Sequence, residues 1–124
     1  MDPLDAWFAL KVAVTRTAAP DAGDEYAGRL TAQPGMTRAA ALRAATIDAA
    51  WTLRQEALTG SLEVGKLADL LVLDRNVLTI AEDDIARVQV LQTVVGGKVV
   101  YASETLLRKP ARSGNGAGGC VIGC

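Results

Sequence analysis

No histidine occurs among the 124 residues. That excludes a metal site built on imidazoles and leaves no base for a Ser–His triad, so Ser61-Leu62-Glu63 reads as structural. Aromatic residues are scarce: Trp7, Phe8, Tyr26, Trp51 and Tyr101 are the whole set. They form no platform for stacking bases, and the core must rest on Ala, Val and Leu. Neither charge sign dominates, with thirteen basic and fourteen acidic residues, and no basic stripe is available to neutralise phosphates. Nucleic acid is therefore not an expected partner. No apolar run approaches the roughly 20 residues of a membrane span, and Met1-Asp2-Pro3-Leu4-Asp5 lacks the positive and apolar regions of a signal peptide. A soluble, cytoplasmic protein with no membrane partner is expected.

The only two cysteines, Cys120 and Cys124, lie in the last five residues, too close together to staple a fold. Two thiolates alone would leave a tetrahedral metal site half empty. Cys120 is fifth from the end rather than fourth, so a prenylation box is not formed.

Half of the residues are hydrophobic, enough for an appreciable core in a chain of this length. Asp2 followed by Pro3 predicts a helix start, with Asp5 adding favourable charge in the first turn. Leu4, Trp7, Leu10 and Val14 recur at helical spacing, predicting a helix to about Arg16 with one face packed on a larger body. Residues 17–35 carry prolines, glycines and scattered charges without a period, as a long surface connection does. A second helix is predicted from the cap Thr37 through the alanine-rich run 39–45 toward Leu53. Within it Thr46 is expected to bond back to a carbonyl one turn earlier and Asp48 to face water.

Beyond Gly60, Leu70-Leu71-Val72-Leu73 is apolar on both faces, which predicts a central strand covered from both sides. Residues 80–87 hold an acidic helical turn, and Glu82, Asp83 and Asp84 lack the alternating spacing of a calcium loop. Gly96-Gly97 between the β-branched runs 88–95 and 98–101 predicts a hairpin with a type I′ turn. The two-residue loop would pair Val95 with Lys98, Val94 with Val99 and Gln92 with Tyr101. The Gly-rich run 114–119 precedes no helix that could cradle a phosphate.

Four blocks together resemble one family. The stretch Gly60-Ser61-Leu62-Glu63-Val64-Gly65-Lys66-Leu67-Ala68-Asp69-Leu70-Leu71-Val72-Leu73-Asp74 is similar to the C-terminal "GSLE-GK-ADLVVLD" signature of the amidohydrolase superfamily. Residues 2–16 resemble the helix after the eighth barrel strand in amidohydrolase family 3, the branch that includes amidases of N-substituted formamides. Ala41-Leu42 and Thr46-Ile47-Asp48-Ala49-Ala50 look like that family's "eAL-a-T-NaA" helix, with Asp48 where Asn is usual, and Val94 to Tyr101 is similar to its "T-V-GGKVVY" hairpin.

The resemblance implies an α+β chain: the last barrel helix and helical linker of a (β/α)₈ metal-dependent hydrolase, followed by a strand and hairpin of its composite β-sandwich. Residues 1–55 would be the helical segment, 56–107 the β-rich segment, and 108–124 a disordered Gly-rich tail. Hydrolysis of non-peptide C–N bonds in that family uses one or two divalent metals such as zinc, held by histidines, a lysine or glutamate, and an aspartate in a "GSD-P" motif. The chain would begin just after that aspartate, with Asp2 as a helix cap and not the ligand. No catalytic, cofactor-binding or metal-ligating residue is assigned, and no cofactor is expected in this chain. Alternatively, the chain is a non-enzymatic module that completes its sandwich with a partner. The expected partners are the missing N-terminal part of the enzyme, or a second copy paired through exposed strand edges.

Overall fold

The computed structural model describes residues 5–18, 23–107 and 120–123. It is an α+β arrangement: α1 (Ala6–Thr15) and α2 (Arg38–Ala45) share a core with a four-stranded antiparallel sheet, α3 (Ile47–Thr52) packs on α2, and a single turn, α4 (Glu104–Leu107), precedes the last strand. The strands are β1 (Leu70–Leu73), β2 (Val90–Val95), β3 (Lys98–Ala102) and β4 (Cys120–Gly123), in the order β3-β2-β1-β4.

α1 starts later than the sequence predicts. Asp5 is extended, and its carboxylate accepts from the backbone N–H groups of Trp7 at 2.9 Å and Phe8 at 3.3 Å, which makes it the N-cap. Asp2 and Pro3 lie outside the described residues. The helix ends where Arg16 turns left-handed. Its predicted stripe is the buried one: Leu10 and Val14 join the core, Trp7 packs against it, and α1 lies on a 3₁₀ segment, Glu82–Arg87, whose Ile85 is fully buried. On the same helix the Lys11 ammonium, buried among polar groups, donates to the Thr17 hydroxyl at 2.8 Å and the Ala18 carbonyl at 3.1 Å.

The connection after α1 is pinned at its neck. Thr17 pairs with Arg29, Leu30 N–H donates to the Arg16 carbonyl at 2.7 Å, and Met36 N–H donates to the Ala13 carbonyl at 2.9 Å. Gly35 lies so close to α1 that a Cβ there would fall 1.8 Å from the Val14 carbonyl oxygen. No side chain larger than hydrogen fits at that crossing.

The second predicted helix exists as two. Thr37 caps α2 as expected, accepting from Ala40 N–H at 3.2 Å. At Thr46 the backbone leaves helical geometry, and the chain restarts as α3. The Thr46 hydroxyl bonds back to the Leu42 carbonyl at 2.8 Å, an alternative to continuing the ladder. Arg43 and Asp48 close the break with a 3.1 Å ion pair in which both side chains remain exposed.

β1 is central, as its apolar run predicts. Leu73 is fully buried beside Val77, Ile85 and Val88, and Leu71 packs on the same cluster. The opposite face is less covered than expected, because Leu70 and Val72 are only half-buried. The hairpin turn has both glycines at positive φ, 56° and 77°, and Val95 pairs with Lys98 and Val94 with Val99. The register then shifts: Thr93 faces Tyr101 and Gln92 faces Ala102, leaving Val100 as an extra residue. The predicted Gln92–Tyr101 pair is displaced by this bulge.

The end of the chain also differs from the expectation. Within the segment expected to be a disordered tail, Cys120–Gly123 is a strand that pairs with all four residues of β1. The remainder of that segment, 108–119 and Cys124, lies outside the described residues.

Candidate functional site

The segment that carries the strongest sequence signal, 60–74, folds as a turn leading into β1. Gly60 is buried at a φ of 90°, where a Cβ would stand 2.7 Å from the Ala50 Cβ and 2.9 Å from the Ile47 Cα. Glycine is required there for two reasons, the left-handed backbone and the close approach of α3. Next, the Lys66 ammonium donates to the Ser61 hydroxyl at 2.6 Å, and that hydroxyl donates to Glu63 Oε1 at 2.6 Å. Lys66 also pairs with Glu63 at 3.5 Å. The hydrogen bond from Ser61, and then the charge of Lys66, hold the Glu63 carboxyl below its ordinary range.

The two aspartates of the segment bracket β1. Before the strand, Asp69 Oδ1 accepts from the Gly96 N–H at 2.7 Å, and the neighbouring Ala68 carbonyl accepts from Gly97 N–H at 3.0 Å. After it, Asp74 Oδ1 accepts from Gln89 N–H at 2.9 Å while Arg75 Nε donates to Asp74 Oδ2 at 2.8 Å. Asp74 N–H in turn donates to the Gln89 carbonyl at 3.0 Å. One carboxylate therefore fixes the Gly96-Gly97 turn and the other fixes the start of β2. These are charge-assisted bonds to backbone amides, the kind that sets strand register.

Beside the Lys66 turn, a depression of about 370 Å³ is lined by Arg43, Ile47, Asp48, Trp51, Glu56 and Lys66. It carries two charges of each sign, and Arg43 and Asp48 neutralise each other. Glu56 Oε2 is buried without a hydrogen-bond partner. The lining holds no cysteine, serine or threonine that could act as a nucleophile. Among the described residues no cluster of three or more metal-ligating side chains occurs, and Asp69 and Asp74 both present oxygens to backbone N–H groups. Among the described residues, the side chains present do not fit a catalytic metal.

Of the residues weighed from sequence, Thr46 bonds back as expected and Asp48 lies exposed in its ion pair. Asp83 is exposed and Asp84 pairs with Arg87 at 3.3 Å, a helical turn facing solvent. The Gly-rich run 114–119 is outside the described residues. Sequence reasoning missed the paired role of Asp69 and Asp74. The available signal was an aspartate at each end of a four-residue apolar run.

Residues 1–101 match the Amidohydrolase family. An N-substituted formamide deformylase of Arthrobacter pascens is 43% identical over 61 residues, which are 49% of this chain and 11% of that enzyme. The chain thus spans a small fraction of the length of this relative. No solved structure matches it.

Proposed function

The chain belongs to the amidohydrolase family, and from that premise we propose that it is the scaffold part of a hydrolase acting on non-peptide C–N bonds, with the catalytic metal site on polypeptide outside it. In this reading α1 is the last helix of the enzyme's barrel, α2 and α3 the linker, and the sheet its contribution to a composite β-sandwich. The substrate class is that of the relative, N-substituted formamides.

The observation that carries the reading is the engagement of the signature's two aspartates. Asp69 grips an amide of the hairpin turn at 2.7 Å, and Asp74 grips the amide of Gln89, just before β2, at 2.9 Å. With no histidine in the chain, this segment supplies no imidazole to hold a metal or to activate water. The segment's chemistry is that of a clasp, joining β1 to the β2–β3 hairpin.

A second reading, a non-enzymatic module, draws on the exposed outer strand β3, where Val99, Val100 and Tyr101 face solvent. The two separate in one experiment. The chain, desalted and then supplied with zinc, is assayed on N-substituted formamides alone and together with the deformylase lacking its matching segment. The scaffold reading expects neither bound zinc nor turnover alone, and turnover on mixing. One equivalent of zinc with metal-dependent turnover by the chain alone would sink it, and a folded chain that never restores activity would favour the module.

A further inference from the structure

The strand at the end of the chain joins the sheet at the edge opposite its sequence neighbour β3. β4 pairs antiparallel with β1 over Leu70↔Gly123, Leu71↔Ile122, Val72↔Val121 and Leu73↔Cys120. β3 lies at the opposite edge of the sheet, so the connection back to β4 must cross three strand spacings, about 14 Å. Residues 108–119 separate α4 from β4, and twelve residues reach as far as ~40 Å. Cys120–Gly123 is held by its ladder with β1 and by the packing of Ile122.

Two features of β1 explain why it is held. Without β4, β1 would be an edge strand, and Leu70-Leu71-Val72-Leu73 would offer unpaired amides on an all-apolar segment, the arrangement that invites pairing with another strand. The described side chain of β4, Ile122, also has a seat. It packs against the core and lines an apolar groove of about 350 Å³ together with Trp7, Leu10, Leu42, Leu71 and Val90. Backbone pairing along an edge with one side chain in a pocket is how sheets accept extended peptides.

We propose that the outer edge of β1 is a strand-accepting site for a short apolar peptide, with Ile122 as the anchor, and that the chain's own Cys120–Gly123 fills it reversibly. Because it is on the same chain, Cys120–Gly123 competes for that edge as an intramolecular ligand. The tail therefore excludes weaker strands and yields to tighter or more abundant ones.

The test uses the full chain. Amide hydrogen exchange is measured for residues 120–123, with and without millimolar amounts of a peptide carrying residues 118–124 with serine in place of both cysteines. Protection in the free protein, and its loss when the peptide is added, is the expected result. A fluorescent form of the peptide should bind Ile122→Asp, whose own tail is released, at least ten-fold more tightly than the wild type. Tail amides exchanging at the rate of an unstructured chain would overturn the proposal, even if Ile122→Asp does not fold. Equal binding to both proteins, or binding to neither while both are folded, overturns it as well. Protection that grows with protein concentration would put the strand in a second copy and overturn the assignment to the same chain.

Discussion

Replacing Leu73 and Val72 in turn by alanine separates the two faces of β1. Leu73 has no exposed surface and belongs to the cluster of Val77, Ile85 and Val88, whereas Val72 lies half-buried on the other face. Leu73→Ala removes a fully packed isobutyl group and leaves a cavity, a change that costs about 2–5 kcal/mol. Val72→Ala removes two methyl groups that water partly reaches, for about 1 kcal/mol. A total stability of roughly 5–15 kcal/mol makes the first loss a large share. With about 4–8 °C of Tm per kcal/mol, the two variants should melt at least ~4 °C apart. Urea unfolding can be followed through Trp7, which packs on the core, after Trp51, 68% exposed, is changed to phenylalanine. Equal midpoint shifts at an unchanged slope would refute the reasoning and show both faces of β1 to be equally covered.

Three further outcomes are expected. Asp69→Ala leaves Gly96 N–H without its acceptor, so the hairpin turn should exchange its amides faster and the fold should lose about 1–2 kcal/mol; unchanged exchange at Gly96 would deny the clasp. The Glu63 carboxyl, titrated by NMR, should show a midpoint below the ordinary 4.5 that moves up in Ser61→Ala. Since its folded pKa is the lower one, the stability it adds is complete above the unfolded value and fades as pH falls through the folded one. Finally, Trp51, Leu53, Leu62, Val64, Val99, Val100 and Tyr101 are all exposed, so the isolated chain should bind a hydrophobic dye and self-associate. A dye-free, monodisperse monomer would count against the scaffold reading.

The elements legible in sequence are those whose causes are local. The Leu10 and Val14 stripe, the Thr37 cap, the apolar β1 run and the Gly96-Gly97 turn each depend on a few neighbouring residues, and each forms. The misread ones depend on a choice between near-equivalent local signals or on pairing with a distant strand. Asp5 rather than Asp2 caps α1, and nothing in the spacing distinguishes two aspartates three residues apart. The break at Thr46 needs both a back-bond to Leu42 and an ion pair across the gap. The bulge at Val100 follows from the sheet's geometry, which a hairpin rule applied to two strands does not contain. β4 escaped notice because four residues behind a glycine-rich run carry almost no periodic signal; only the unpaired edge of β1 makes a strand of them. The site was legible as a family signature, while its work as a clasp required seeing which amides Asp69 and Asp74 reach.

The pinned neck after α1 separates the length of the following excursion from the placement of α2. Thr17 and Arg29 close it, and the bonds at Arg16 and Ala13 set the direction in which the chain leaves. Doubling such a loop costs only ~0.6 kcal/mol in closure entropy. A reporter peptide or a small domain can therefore be spliced in near Gly28, where a Cβ would meet nothing within 4 Å, without redirecting the helix beyond. Seven residues later the same chain tolerates no graft at all, because Gly35 must slide past the Val14 carbonyl.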